Sequence, residues 1–202
     1  LYAVTMAWML GQLRRWRRIA DVAGTVTAVA IVVEIVIIVG AAAAGTTSHF
    51  NVATPLSTTL WSAMGTAIAA LWIAGLVVAI ALVANPMPDP ARNHAVRAGV
   101  VIGLVGMAVA FLMTGPTQAQ LSDFQGVAGA HAVGVADGGA GLPFLGWSTE
   151  GGDLRVPHFV GMHALQALPL GALALELLAR RARVLRDVRV RHDLVLVAAV
   201  AA

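Results

Sequence analysis

The sequence predicts an all-α polytopic membrane protein, a bundle of about six transmembrane helices with an ordered, Gly-rich outer loop. Three observations carry that expectation. Apolar residues make up 59 % of the 202 and charged residues only 11 %, with a mean hydropathy of +0.83, far from the balance of a soluble domain. Four segments are long and apolar enough to cross a hydrocarbon core, which takes roughly 20 residues per helix. The positive charge is also confined: the chain has no Lys, and 12 of its 13 Arg fall in segments that would be loops on one side.

The elements follow in order. Residues 1–10 (LYAVTMAWML) read as the cytoplasmic end of a first span, and the basic cluster RRWRR follows them. The full spans are about 19–44, 58–84, 98–115 and 157–179, and 193–202 reads as the beginning of a last one. Leu1 is not an initiator Met and the chain closes inside the apolar run LVLVAAVAA, so further residues are expected on both sides. No signal-peptide pattern is visible, because the basic cluster follows the first apolar segment instead of preceding it. The whole of 1–202 is expected to form one transmembrane domain.

Cytoplasmic loops collect positive charge. Arg14, Arg15, Arg17 and Arg18, then Arg92 and Arg97, then the six Arg of 180–191 place 11–18, 85–97 and 180–192 inside. The connections 45–57 and 116–156 then face outward, and the second carries Asp123, Asp137, Glu150 and Asp153. The Ala, Val, Gly, Leu and Arg bias suggests a GC-rich bacterial genome, so the expected location is a bacterial inner membrane. The partners implied are the lipid bilayer and other membrane subunits, with no nucleic acid. Having no cysteine, the chain cannot build disulfides, Cys-ligated zinc or iron–sulfur clusters, which leaves His, Met, Asp, Glu and backbone groups as metal ligands.

The connection 116–156 is long for a turn, and such connections are usually functional or disordered. Its stretch VAGAHAVGVADGGAGLPFLGW is rich in Gly but also holds Leu142, Phe144, Leu145 and Trp147. Those apolar side chains predict an ordered cap over the outer mouth of the bundle, packed by Phe144, Leu145 and Trp147. In the fourth span, the Gly99-x-x-x-Gly103 spacing with Gly106 one turn on fits close helix contact.

Polar residues converge at the outer end. Of six His, His94 and His192 lie with the Arg-rich loops, whereas His49, His131, His158 and His163 fall on the outer side. At about 100° per residue, His158, Met162, Gln166 and His163 lie at roughly 0°, 40°, 80° and 140° around the fifth span, a sector expected to face protein. The TTSHFNVATPLSTTLW stretch adds His49, Asn51, Thr54 and Ser57, and FLMTGPTQAQ adds Met113, Thr114, Gln118 and Gln120. Imidazole and thioether suit copper and haem iron, and His with carboxylate suits zinc. The candidate cofactor residues are His49, His158, His163 and Gln166. For a metal ion they are His49, His131, Asp153, His158, His163 and Met162. Asp153 and Arg155 have a plainer reading as a pair or helix cap, the Met residues as packing, and Gln166 as an interhelical hydrogen bond. Glu34, alone mid-span, is expected to be neutral or hydrogen-bonded, and Pro169 is expected to kink its helix.

In these segments the chain resembles an uncharacterised group of bacterial multi-pass membrane proteins that carry SHFN…TPL and a later GWSTEGGDLRVPHFVGMHALQ-like segment. The resemblance covers about 45–170 and implies a shared fold. A looser one is to membrane hydrolases of the alkaline ceramidase and progestin-receptor type, which hold zinc with His-x-x-x-His; here the spacing is His158-x-x-x-x-His163.

Three functions compete. The leading one is a redox or electron-transfer membrane protein that binds haem b or copper through the outer His. The alternative is a non-enzymatic membrane-complex subunit or small-solute transporter. The third is a metal-dependent enzyme on a lipid substrate, with Asp153 and two His as ligands and Glu150 or Asp137 as base. The absence of a nucleophile elbow, phosphate loop or HExxH motif counts against the enzyme.

Overall fold

The computed structural model describes residues 2–202. Helices account for 70 % of the chain: α1 (Tyr2–Gln12), α2 (Arg17–Ala43), α3 (Pro55–Ala84), α4 (Pro90–Met113), the short α5 (Gln118–Ser122), α6 (Arg155–Leu178) and α7 (Val188–Ala201). The only sheet among the described residues is two residues wide, β1 (Ala132–Val133) antiparallel to β2 (Gly152–Asp153). The protein is an all-α helical bundle. Helices α2, α3, α4 and α6 have the length and composition to cross a bilayer, whereas α1 and α7 are shorter, with 11 and 14 residues.

Local sequence starts and stops these helices. Thr54 Oγ1 accepts the Ser57 amide ahead of α3, Asp89 accepts the Arg92 amide ahead of α4 and Asp187 accepts the Arg189 amide ahead of α7. Each supplies an acceptor for an amide that the first helical turn leaves unpaired. Pro55 and Pro90 follow directly, where a missing N–H costs nothing. Helix α2 ends in a Schellman turn: Gly45, at φ +67°, donates to Ala42, and Thr46 donates to Ala41.

The outward surfaces of these helices are apolar. On α2, Val22, Val29, Val32, Ile35, Val36 and Val39 are all exposed, while the buried stripe is Ala20, Ala23, Thr27 and Ala30. In water such a surface would be a severe liability, whereas lipid tails solvate it. With four spans of this kind, the chain is an integral multi-pass membrane protein.

By contact density the chain divides into two compact units. One comprises the N-terminal stretch through Thr25, Ile73–Met107 and Phe159–Ala202, and the other Val26–Trp72 and Ala108–His158. The first contains every Arg except Arg155; the second contains Arg155 and the 45–57 and 116–156 connections.

In the first unit, α4 and α6 meet through small residues. A Cβ added to Gly99 would stand 3.0 Å from the Ala164 carbonyl, one on Gly103 3.2 Å from the Leu165 Cβ, and one on Gly106 2.6 Å from the Gly161 Cα. The glycine spacing on α4 thus marks a true helix contact. Its counterpart on α6 is Gly161 with Ala164 and Leu165. Beside it, Ala91, Ala95, Ala164, Leu168, Ala172 and Val195 form a buried cluster of α4, α6 and α7. Pro169 is buried inside α6, and its ring nitrogen cannot donate to the Leu165 carbonyl.

That seam revises the expected polar sector of α6. Gln166 is buried and His158 and Met162 are partly buried, but His163 is exposed. The protein-facing stripe is set by Gly161, Ala164, Leu165 and Leu168, because only small side chains admit the α4 backbone, and His163 falls outside it. The cap expectation also needs correction: Phe144 is fully exposed and Leu142 and Leu145 are largely so. Trp147 is partly buried, and the 116–156 connection is held mainly by polar groups, as described next, with no packing contribution from an exposed Phe144.

Candidate functional site

The second unit brings His49 and His131 against a buried aromatic, Phe50, and holds Asp137 and Asp153 in the connection that carries His131. The SHFN stretch lies between α2 and α3. Asn51 shapes it, its amide nitrogen donating to Thr46 Oγ1 and to the Thr47 carbonyl, both at 3.1 Å, while its oxygen accepts the Ala53 amide. Phe50 adopts φ +59°, a left-handed conformation costly for a side chain of this size. It is held there because the ring is buried, edge-on to Trp61 at 5.4 Å and tilted against His131 at 4.8 Å.

Backbone pairing joins this turn to the long connection. The Phe50 carbonyl accepts the Ala128 amide, the Gly126 carbonyl accepts the Val52 amide, and Asn51 bridges Val127. Gly129, at φ +128°, lies against the Phe50 ring and the Met113 carbonyl so closely that no Cβ fits. Gln120 completes the join. Its side chain closes a capping box with Thr117 at the start of α5, and both of its side-chain ends bond the backbone of Gly129.

His131 is fixed by a carboxylate. Asp137 accepts the amides of His131 and Ala132 and the His131 Nδ1–H, at 2.7–3.0 Å. Burial pushes the Asp137 carboxyl upward, but these amides and the imidazole outweigh it and hold the group below the usual carboxylate range. Across the β1–β2 pairing, Ala132 faces Asp153. The Asp153 side chain is 2 % exposed and accepts from the Ser148 amide, the Arg155 amide and the Arg155 guanidinium, while Arg155 also reaches the Gly146 carbonyl. The Arg155 guanidinium is the largest influence and sets the Asp153 carboxyl far below its ordinary value despite burial. With its acceptor positions filled, Asp153 is a structural tie and cap for α6, the plainer of its two sequence readings.

His49 sits with Nδ1 2.9 Å from Ser48 Oγ and its ring 5.5 Å from Trp61. Burial, and then the charge of nearby His131, lower its pKa, so the imidazole is neutral near pH 7. Among the described residues, Nε2 of His49 and Nε2 of His131 have no hydrogen-bond partner. The fold therefore presents two imidazoles anchored through Nδ1, in contact with one phenylalanine.

The other sequence candidates divide between the two units. His158 belongs to this same unit, donating its backbone amide to Leu154. His163, Gln166 and Met162 belong to the first unit. His163 stacks on Phe159 with ring centroids 4.0 Å apart and donates from Nδ1 to the Phe159 carbonyl. Glu150 is exposed. Among the described residues, no three His, Asp or Glu side chains come together as a metal-holding group. Sequence reasoning missed Phe50 and Asp137 as partners of His131. Asp137 alone carried a signal, as a carboxylate six residues from a His in the same Gly-rich loop.

Comparison with protein-family models, with curated proteins and with solved structures gives no match.

Proposed function

We propose that this multi-pass membrane protein binds one copper ion between His49 and His131 for redox or electron-transfer chemistry. The observation that supports the reading is the paired anchoring of the two rings. Ligating imidazoles are held by an acceptor on the ring nitrogen away from the metal; Asp137 is that acceptor for His131, and Ser48 Oγ lies 2.9 Å from Nδ1 of His49. His49 is neutral near pH 7, as a ligand must be. Asp137 and Asp153 are committed to amides and to Arg155, and among the described residues no three His, Asp or Glu gather as a hard-cation site would need. Two imidazoles beside Phe50 and Trp61 suit soft Cu(I) better than a hard dication. A porphyrin between the same rings would require Phe50 to leave, which ranks haem b second to an ion.

The experiment is copper analysis of the purified chain loaded anaerobically with Cu(I), together with an absorption spectrum. One copper per chain, lost in both His49→Ala and His131→Ala, is the expected result. A Soret band in the purified protein would move the assignment to haem. Neither metal nor chromophore, with both variants folded, would leave the cluster as packing.

A second reading, a non-enzymatic subunit of a membrane complex, draws on Phe144. It is fully exposed and left-handed at φ +65°, in a tight hairpin closed by Gly141 and Ser148. An exposed, strained aromatic at a loop tip is a common contact residue. Co-purification of a stoichiometric partner that Phe144→Ser releases would favour it.

A further inference from the structure

We propose that the connector between α6 and α7 is a binding platform for anionic phospholipid headgroups, built from Arg180, Arg181, Arg183 and Arg186. A run of Arg is ordinarily a solvated face, and here two facts argue for more. The connector is rigidly held, and its carboxylates are already taken.

Arg191 provides most of the rigidity. Its guanidinium donates to the Leu185 carbonyl at 2.7 Å and to the Arg186 carbonyl, and its other end reaches Asp89, ahead of α4, at 2.7 Å. Asp187 caps α7, the Ala182 amide donates to Leu178 at 2.8 Å, and the Leu185 amide closes the 3-10 turn on Ala182. Among the acidic groups of this region, Glu176 is paired with Arg92 and Asp89 with Arg191. Burial raises the Asp89 carboxyl, but the Arg92 amide and Arg191 more than offset this, so it stays charged and committed.

What remains is a set of exposed guanidiniums with no carboxylate partner among the described residues: Arg180, Arg181 and Arg183, and Arg186, whose Nε makes only a long contact to the Ala179 carbonyl. Exposed Leu177, Leu178 and Val184 are interleaved with them. Apolar side chains beside cations at the end of a membrane span place the cations at headgroup depth, where the forked guanidinium matches phosphate oxygens. Because the backbone is already ordered, binding pays little ordering entropy.

The test uses the full chain in neutral detergent, titrated with phosphatidylglycerol, with phosphatidylcholine and with inorganic phosphate, and read by native mass spectrometry. The expected result is retention of phosphatidylglycerol over phosphatidylcholine, weakened by salt. Each Arg→Gln change at 180, 181, 183 or 186 should lower the affinity about fivefold. The fourfold Arg→Lys variant preserves the charge that sets topology and loses the fork, so it should bind more weakly than the parent and more tightly than the fourfold Arg→Gln variant. Equal retention of the two lipids by the parent would overturn the proposal. So would inorganic phosphate displacing phosphatidylglycerol, because that would show an anion site indifferent to the membrane. Should the Gln variant fail to fold, the lipid preference and salt dependence of the parent still decide the matter.

Discussion

Gly106 of α4 and Gly161 of α6 approach so closely that a Cβ on Gly106 would lie 2.6 Å from the Gly161 Cα, and one on Gly161 2.6 Å from the Gly106 Cα. Neither helix can carry a side chain there without the other backbone moving. Gly106→Ala and Gly161→Ala are each expected to destabilise the protein by about 1–3 kcal/mol, the usual range for overpacking. Gly171→Ala, at a position on α6 with open space around it, should be neutral or slightly favourable by helix propensity. Thermal unfolding of the three variants in one detergent checks the ranking. Equal melting temperatures for Gly106→Ala and Gly171→Ala would refute the close packing.

The Asp153–Arg155 pair ties the long connection to the start of α6. Asp153→Asn leaves the Arg155 guanidinium short of its partner, and a loss of roughly 2–3 kcal/mol is expected, less than for a fully buried pair because Arg155 is partly exposed. The carboxyl pKa is depressed in the fold. Its contribution is therefore present above the unfolded value of about 3.9 and lost only as pH falls toward the lower folded value. Limited proteolysis across 140–152 should show protection down to about pH 4 in the parent and at no pH in Asp153→Asn.

His49 acts in the same sense, at higher pH. Its folded pKa is lowered, so above about pH 6.5 both folded and unfolded states are neutral and the group is silent. Below that value the unfolded chain takes up the proton first, and stability falls with pH until the folded pKa is passed. Trp61, 5.5 Å away, reports it, because a protonated imidazole quenches a neighbouring indole. The fluorescence difference between the parent and Trp61→Phe should fall with a midpoint below pH 6.5. A midpoint at or above 6.5 would show that burial and His131 do not act as inferred.

Phe144 combines a left-handed backbone with a fully exposed side chain. Phe144→Gly removes the left-handed penalty, and a gain of about 0.5–1 kcal/mol in denaturant unfolding is expected. Phe50→Gly sets the opposite case. Phe50 shares the left-handed backbone, but its buried ring touches Trp61 and His131, so its loss should cost about 3–5 kcal/mol.

The sequence by itself determined the membrane class, the spans and the grouping of charge. Each depends on quantities local to the chain: twenty apolar residues in a row satisfy their own backbone as a helix whatever surrounds them, and Arg partitions by loop. The α4 glycine spacing was legible for the same reason, because a face is fixed by helical period. Tertiary structure alone decided which polar residues meet. His131 reached Phe50 through backbone pairing of 126–128 with 50–52, a long-range register that no local pattern encodes. His163, grouped with His158 by rotation about α6, was turned away once the small residues Gly161 and Ala164 claimed the contact with α4. Phe144 and Leu145 suggested a packed cap by composition, yet both are exposed and the connection is ordered mainly by Asp137, Asp153 and Gln120, because a Gly-rich chain gains most of its order from hydrogen bonds to backbone amides.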